Sequence, residues 1–511
     1  MDLCSLIERN AAFAPEKPAI RFEGKSLSYA ELDARIELTA RALKSEFGVS
    51  RGDRVAILSL NRPEYLVLLY ACARLGAMLV PLNWRLAVAE QMFILSDAAA
   101  KVIVLEQAFS AILPHLEEQL PETGVVGFDF SPARGTSFET LLTQARGDGR
   151  NPHTDLSCPL LIVYTSGTTG RPKGAVLRQE ALLWNGVMSQ HMHGLTSNDH
   201  VLTVLPFFHV GGLNIQTTPA LHHGATVTIH SRFTPEATLS AIERDRPTLT
   251  VLVPATIQAV SDHPGWSTTD LSSLKAISTG STIVPQHLID RFVARGVPVL
   301  QVYGSTETCP IAVYTRLGGD LSREDSTGLP GLCCEAVIID DAGRELPPEA
   351  SGEIALRGPN VFCEYWGNEE ATRDALHNGW YRTGDLGRRD AEGYFWVHDR
   401  KKNLIISGGE NIYPAEVERV LLEHPDVSEC GVIGRRDPRW DEVPVAYVIK
   451  RTGCSVDANS LKAHVETQLA RFKVPREFVF VDDLPRTALG KVQHFLLKQI
   501  DVETSTQGDA S

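Results

Sequence analysis

Residues 160–174 read LLIVYTSGTTGRPKG. The first five form a short apolar run of the kind that becomes a strand, and the remainder has the chemistry of a turn. Gly167, Gly170 and Gly174 allow tight backbone turns. Thr165, Ser166, Thr168 and Thr169 offer hydroxyl donors, and Lys173 supplies a point charge. Together these meet the needs of a polyphosphate: close approach of backbone N–H groups and charge-assisted contacts. No Gly-Lys-Ser/Thr opens a helix here, so the loop is not of the Walker A kind.

Upstream of this loop, helical and strand patterns alternate. Residues 28–43 carry apolar positions at helical spacing, 54–60 (RVAILSL) are a compact apolar run, and 64–74 are helix-like. Residues 77–81 and 101–105 (KVIVL) are strand-like again. The alternation predicts an α/β fold, with a large N-terminal domain of layered, mostly parallel sheets and helices. Near residue 400 the character changes. The charged run DRKKN (399–403) and SGGE (407–410) precede Tyr413-Pro414, and Pro414 suits the first turn of a helix over 415–422. The expected division is a large domain over 1–400 and a small α+β C-terminal domain over 401–511, with the break between Arg400 and Lys402. The polar tail 501–511 is expected to be disordered.

A chain of 511 residues is long enough for two or more domains. Its net charge of −14, from 49 basic and 63 acidic side chains, argues against a nucleic-acid partner, which would need a basic face. The nine cysteines form no C-x-x-C pair, so reduced thiols in a cytosolic protein are expected. The N-terminus MDLCSLIERN lacks a signal peptide's basic start and apolar run. The longest apolar stretch, 65–82, is interrupted by Arg74 and Pro81, which predicts a buried helix and strand, not a membrane span. A cytoplasmic protein without integral membrane association is expected. A homodimer stays open.

The string YTSGTTGRPKG (164–174) resembles the signature of the adenylate-forming superfamily, which holds acyl-CoA synthetases, nonribosomal adenylation domains and luciferases. Further motifs stand in family order: LPFFHVGGLN (205–214), VYGSTET (302–308), WYRTGDL (380–386), DRKKNLIISGGENIYP (399–414) and LPRTALGK (484–491). The resemblance spans nearly the whole chain. It implies that ATP activates a carboxylic acid and that the small domain is mobile.

Residue by residue, the resemblance gives the β- and γ-phosphates to Ser166, Thr168, Thr169 and Lys173, with Thr165, Gly167 and Gly170 completing the nucleotide-binding loop. Tyr303 and Gly304 offer a face for adenine, with Ser305 beside them and Thr306 reaching the α-phosphate. Glu307, with Thr165, would hold Mg2+ through hard oxygen ligands. Asp385 matches the carboxylate that accepts both ribose hydroxyls, and Arg400 contacts ribose or phosphate. Lys491 would bridge the substrate carboxylate and the α-phosphate, easing repulsion between two anions. His209 lines the carboxylate end of the acyl pocket as a positioning aromatic, because an acid already ionised at neutral pH needs no base. Lys402 stands at the hinge position, and Ser407, Gly408 and Gly409 would form the thiol tunnel for CoA. Trp440 and Lys473 are candidates for the nucleotide end of CoA.

No carboxylate lies within residues 205–214 to pair a substrate ammonium, which disfavours amino acids. The acyl pocket is expected to draw on Val210, Gly211, Asn214, Tyr303 and residues 279–281 and 310–312, without an arginine for a second carboxylate. Gly280 and Ser281 also border the nucleotide, and Ser281-Thr282 replaces the Ala-Pro common in the family. The expectation is an acid–CoA ligase for a fatty or aryl acid, using ATP, Mg2+ and coenzyme A. The alternatives are an adenylating enzyme serving another acceptor and an inactive homologue. The inactive homologue predicts loss of Lys491 or Glu307, yet both are present.

Overall fold

The computed structural model describes residues 1–165, 172–280, 284–323, 325–407, 410–437, 440–469, 471–486 and 491–508. The chain divides into two compact units. The first holds residues 1–281, 289–336 and 356–381, and the second holds 282–288, 337–355 and 382–511. Arg400 and Lys402 both fall inside the second unit. The change in composition near 400 lies within a set of contacts that begins earlier in the chain, where residues 385–389 pair with 395–400.

Two large sheets form the first unit. One runs, in spatial order, Glu364–Tyr365, Lys173–Arg178, Pro159–Thr165, Met78–Pro81, Arg54–Leu58, Val102–Leu105, Gly124–Gly127 and Thr136–Ser137. Its strands are parallel from Pro159–Thr165 onward and antiparallel at the edge that carries Lys173–Arg178. Met78–Pro81 and Val102–Leu105 are buried at every position, as expected of strands covered on both faces. The second sheet centres on the parallel strands Val299–Tyr303, Ala276–Gly280, Leu249–Val251, His200–Thr203, Thr226–Ile229 and Pro18–Phe22.

The helices between them follow from local chemistry. Tyr29–Phe47 starts on a capping box made by Ser28 and Glu31, and ends at Gly48, whose φ of 61° is left-handed. Pro63–Leu75 begins on proline and is buried from Tyr65 to its end. Arg74 is buried with it, and Glu8, Asp33 and Glu37 surround its guanidinium. No described helix is long and apolar enough to cross a membrane.

The second unit holds a five-stranded sheet of Glu410–Ile412, Ile405–Ser407, Asp441–Lys450, Val427–Asp437 and Glu477–Phe480. Pro414–Leu422 and Ala458–Glu466 pack their apolar faces on it through Val417, Val420, Leu421, Leu461 and Val465. A helix, His494–Gly508, occupies most of the stretch expected to be disordered. Asp501 is buried and accepts hydrogen bonds from Arg435 and Tyr447, a carboxylate anchor that polar composition conceals.

Candidate active site

Within the first unit, the phosphate string leaves the strand Pro159–Thr165 and returns in Lys173–Arg178. These two pair antiparallel, with Thr165 opposite Lys173. Ser166, Gly167, Thr168, Thr169 and Gly170 lie outside the described residues. At the return, a Cβ on Gly174 would stand 2.7 Å from Ile162, so only glycine lets the two strands close there.

Lys173 lies over the ring of Tyr365, its ammonium 5.4 Å from the centroid. The Tyr365 hydroxyl donates to Glu307 Oε1 at 2.7 Å. This chain of contacts joins the phosphate string to the motif that begins at Tyr303. Glu307 sits in the short helix Thr306–Thr308, just past the strand Val299–Tyr303, and is only 8% exposed. A buried carboxylate held by the neutral Tyr365 hydroxyl fits a divalent cation, because hard oxygen is the ligand Mg2+ prefers. Gly304 is fixed by crowding: a Cβ there would run into the carbonyl oxygen of Pro310. Ser305 N–H donates to Thr308 Oγ1, and Ser305 Oγ lies 3.4 Å from the Tyr381 hydroxyl.

His209 precedes the helix Val210–Asn214 and meets the Phe208 ring in a tilted contact, with ring centroids 4.5 Å apart. Burial, helped by the charge of Arg85, lowers its pKa to about 4. Its Nε2 meets no partner among the described residues. A neutral ring with an open nitrogen can shape and orient a substrate, while a pKa so low makes it a poor base at neutral pH. Beyond it, Asn214 donates to Cys309 Sγ at 3.5 Å, and Asn185 Nδ2 donates to the Asn214 carbonyl at 2.6 Å. Asn185 Oδ1 accepts from Ile311 N–H at 3.1 Å, which ties residues 214 and 311 of the expected pocket together. Gly280 ends its strand against Val302, where a Cβ would strike a carbonyl oxygen; Ser281 lies outside the described residues.

In the second unit, Asp385 stands opposite Arg400 in antiparallel register, and Arg400 Nε reaches Asp385 Oδ1 at 2.5 Å. The charges of Arg400, Lys402 and Lys491 crowd one another here. The Lys491 ammonium is pushed below its ordinary pKa by burial and then by Arg400, against the pull of Asp385, Asp399 and Glu418. Lys402 is lowered by desolvation, Arg400 and Lys491. Next to Lys491, His494 Nε2 lies 2.6 Å from Glu418 Oε1. Burial opposes charge on His494, but the Glu418 and Asp399 carboxylates outweigh it and raise the pKa.

Ser407 pairs with Glu410 and with Asp441 in the sheet, and Gly408 and Gly409 lie outside the described residues. Trp440 N–H donates to Asp437 at 3.0 Å. Lys473 is engaged by both oxygens of Glu416 at 2.7 Å, so a phosphate would have to compete for its charge. Sequence reading did not single out Tyr365. Its signal is the aromatic pair Tyr365-Trp366 ahead of the Gly367 turn, which becomes informative only when the fold sets it against Glu307.

Residues 7–366 match the family model described as AMP-binding enzyme, and residues 416–491 match its AMP-binding enzyme C-terminal domain. An indoleacetate–CoA ligase of Aromatoleum aromaticum is 49% identical over 98% of both chains. A feruloyl-CoA synthase of an Amycolatopsis species is 40% identical over 95% of this chain and 96% of its own. Among solved structures, the o-succinylbenzoate CoA synthetase of Bacillus subtilis, in complex with its acyl-adenylate intermediate, superposes with a TM-score of 0.87. It is 34% identical over 96% of this chain and 97% of that one. The same synthetase has been solved with ATP and a magnesium ion, at 33% identity over 98% of this chain, 99% of that one and a TM-score of 0.87. The chain belongs to the AMP-binding enzyme family and is an AMP-forming acid–CoA ligase that works with ATP, Mg2+ and coenzyme A.

Proposed function

We propose that the acid is an aryl acid, activated at the residues of the two motif clusters around Glu307 and Asp385. The observation that carries this is the full-length 49% likeness to indoleacetate–CoA ligase. In the first step, a carboxylate oxygen attacks the α-phosphorus of ATP, a P–O bond breaks, and pyrophosphate leaves. Lys173 screens the outgoing phosphates, Glu307 would hold Mg2+, which when bound would neutralise phosphate charge, and Asp385 accepts the ribose hydroxyls. Lys491 lies between the two reacting anions. In the second step, the CoA thiolate attacks the acyl carbon and AMP departs with the mixed-anhydride oxygen. Ser407, Gly408 and Gly409 line the approach of the thiol, with Trp440 and Lys473 toward its nucleotide and Lys402 as the pivot between the steps. Supporting this division of labour, Lys491 and Ser407 both belong to the second unit, while Lys173 and Glu307 belong to the first. The nine free thiols support a cytoplasmic site of action.

The test is a panel of aryl and fatty acids with ATP, Mg2+ and CoA, reading pyrophosphate and thioester separately. Aryl acids should give both products in equal amount and the highest kcat/KM. A fatty acid as best substrate would overturn the aryl reading. Pyrophosphate without thioester, for every acid, would point to another acceptor.

A further inference from the structure

Seven residues beyond His209, and two past the end of the helix Val210–Asn214, stands Gln216, only 1% exposed. Its Oε1 meets no donor among the described residues. The neighbouring hydrogen bonds fix which end of the amide is open. His193 Nδ1 lies 2.8 Å from the carbonyl oxygen of Ser189, which can only accept, so Nδ1 carries the proton. Burial keeps this ring neutral, with its pKa pulled down to about 4, so Nε2 is bare. Ser278 Oγ, 2.6 Å away, must donate to it. Ser278 has then spent its one hydrogen, and the amide nitrogen of Gln216 donates to Ser278 Oγ at 3.2 Å. The carbonyl end of Gln216 is left as a buried acceptor with nothing to accept, a state that costs free energy unless a donor arrives.

The place of this acceptor suggests what the donor is. Gln216 follows the helix Val210–Asn214, which leads away from the carboxylate end at His209. Its partner Ser278 stands two residues before the end of Ala276–Gly280, the strand that enters the expected acyl wall. Gln216 also borders a cavity of about 10 Å³ lined by Gly212 and Thr217, room for about one water molecule. Thr217 donates to the Gly212 carbonyl, and Thr203 Oγ1 lies 2.7 Å from Thr217 Oγ1, so the hydroxyls lining that cavity are engaged with each other.

We infer that Gln216 is a specificity-determining residue, whose open Oε1 accepts a hydrogen bond from an N–H or O–H group at the end of the aryl acid remote from its carboxylate. This rests on the aryl acid being the substrate and narrows it from aryl acids in general to donor-tipped ones. A site built to hydrogen-bond such a group rejects the analogue lacking it more strongly than an apolar pocket rejects a missing methylene.

The experiment compares isosteric pairs in the ATP- and CoA-dependent assay: indole-3-acetate with 1-benzothiophene-3-acetate, and 4-hydroxycinnamate with 4-methylcinnamate. In the wild-type enzyme the donor-bearing member of at least one pair should have the higher kcat/KM by about tenfold or more. Gln216→Leu should bring that ratio toward one while still releasing pyrophosphate with the isostere. Gln216→Met serves as the second variant should Leu disturb folding. A wild-type ratio near one in both pairs would mean that a buried water satisfies the acceptor, and would overturn the inference. So would an undiminished preference in a folded Gln216 variant. Failure of all four aryl acids beside an active fatty acid would instead overturn the aryl reading itself.

Discussion

At the scale of single residues, the tasks proposed for His209, Tyr365 and Lys491 can be told apart by substitution. The His209 ring is neutral throughout the working range, so replacing it with another aromatic should spare catalysis. His209→Phe is expected to keep kcat within about tenfold, whereas loss of a general base costs roughly 10²–10⁴-fold. Steady-state kinetics decides between them. Tyr365→Phe removes only the hydroxyl that holds Glu307 Oε1. It should weaken Mg2+–ATP binding several-fold and lower stability by about 1 kcal/mol, read as KM for ATP and a denaturant midpoint. Lys491→Ala should cut adenylation by orders of magnitude while sparing thioester formation from preformed acyl-AMP. Equal loss in both steps would contradict its assignment to the first step alone. Of these residues, His209 and Lys491 stand in motifs that single them out in the sequence. Tyr365 does not, because its role depends on a contact with a residue 58 positions earlier in the chain.

At the scale of elements, the strands that sequence revealed best were the fully buried ones. RVAIL at Arg54–Leu58 and VIVL at Val102–Leu105 are apolar because both faces are covered, and an apolar run needs no knowledge of neighbours to be recognised. Arg74 inside Pro63–Leu75 argued correctly against a membrane span, but its partners on two other helices were invisible. Because that guanidinium is buried among Glu8, Asp33 and Glu37, Arg74→Met leaves carboxylates without their cation. It should destabilise the first unit by about 3–5 kcal/mol in chemical denaturation. The C-terminal helix shows the opposite difficulty, since its composition resembles that of a disordered tail while Asp501 anchors it. Truncation after Ile500 should therefore lower the melting temperature of the second unit. An unchanged melting curve would mean that the Asp501 contacts with Arg435 and Tyr447 contribute nothing.

For the whole molecule, three histidines with desolvated rings set a common response to acid. Burial lowers His193 and His209 to about 4 and His222 to about 3, from an ordinary value of 6.5. A histidine with a depressed folded pKa contributes stability that is complete above its unfolded value and is lost as pH falls toward the folded one. The window is thus pH 6.5 down to about 4, and each histidine should cost about 1 kcal/mol by pH 5.5. His494, raised by Glu418, acts in the opposite sense, since its contribution is complete below the unfolded value and fades as pH rises through the folded one. Denaturant midpoints at about pH 7.5 and about pH 5.5 should show a net loss on acidification.

The division into a large and a small unit was legible in the sequence, and residues 337–355 and 382–400 group with the second unit while preceding the motif that marks it in sequence. The activity itself was legible because six separated strings stand in the order of the adenylate-forming superfamily that the chain resembles. The identity of the acid was not, because it depends on which buried polar atoms the fold leaves open, such as Gln216 Oε1. In the proposed sequence of steps, ATP activates the acid as an enzyme-held adenylate before CoA takes part. That order is tested most directly by exchange of labelled pyrophosphate into ATP with an aryl acid and Mg2+, without CoA. Exchange that requires both acid and Mg2+, and gives way to equal amounts of thioester and AMP when CoA is added, is the expected result. Thioester formed with ADP and inorganic phosphate, or no exchange under any acid, would contradict it.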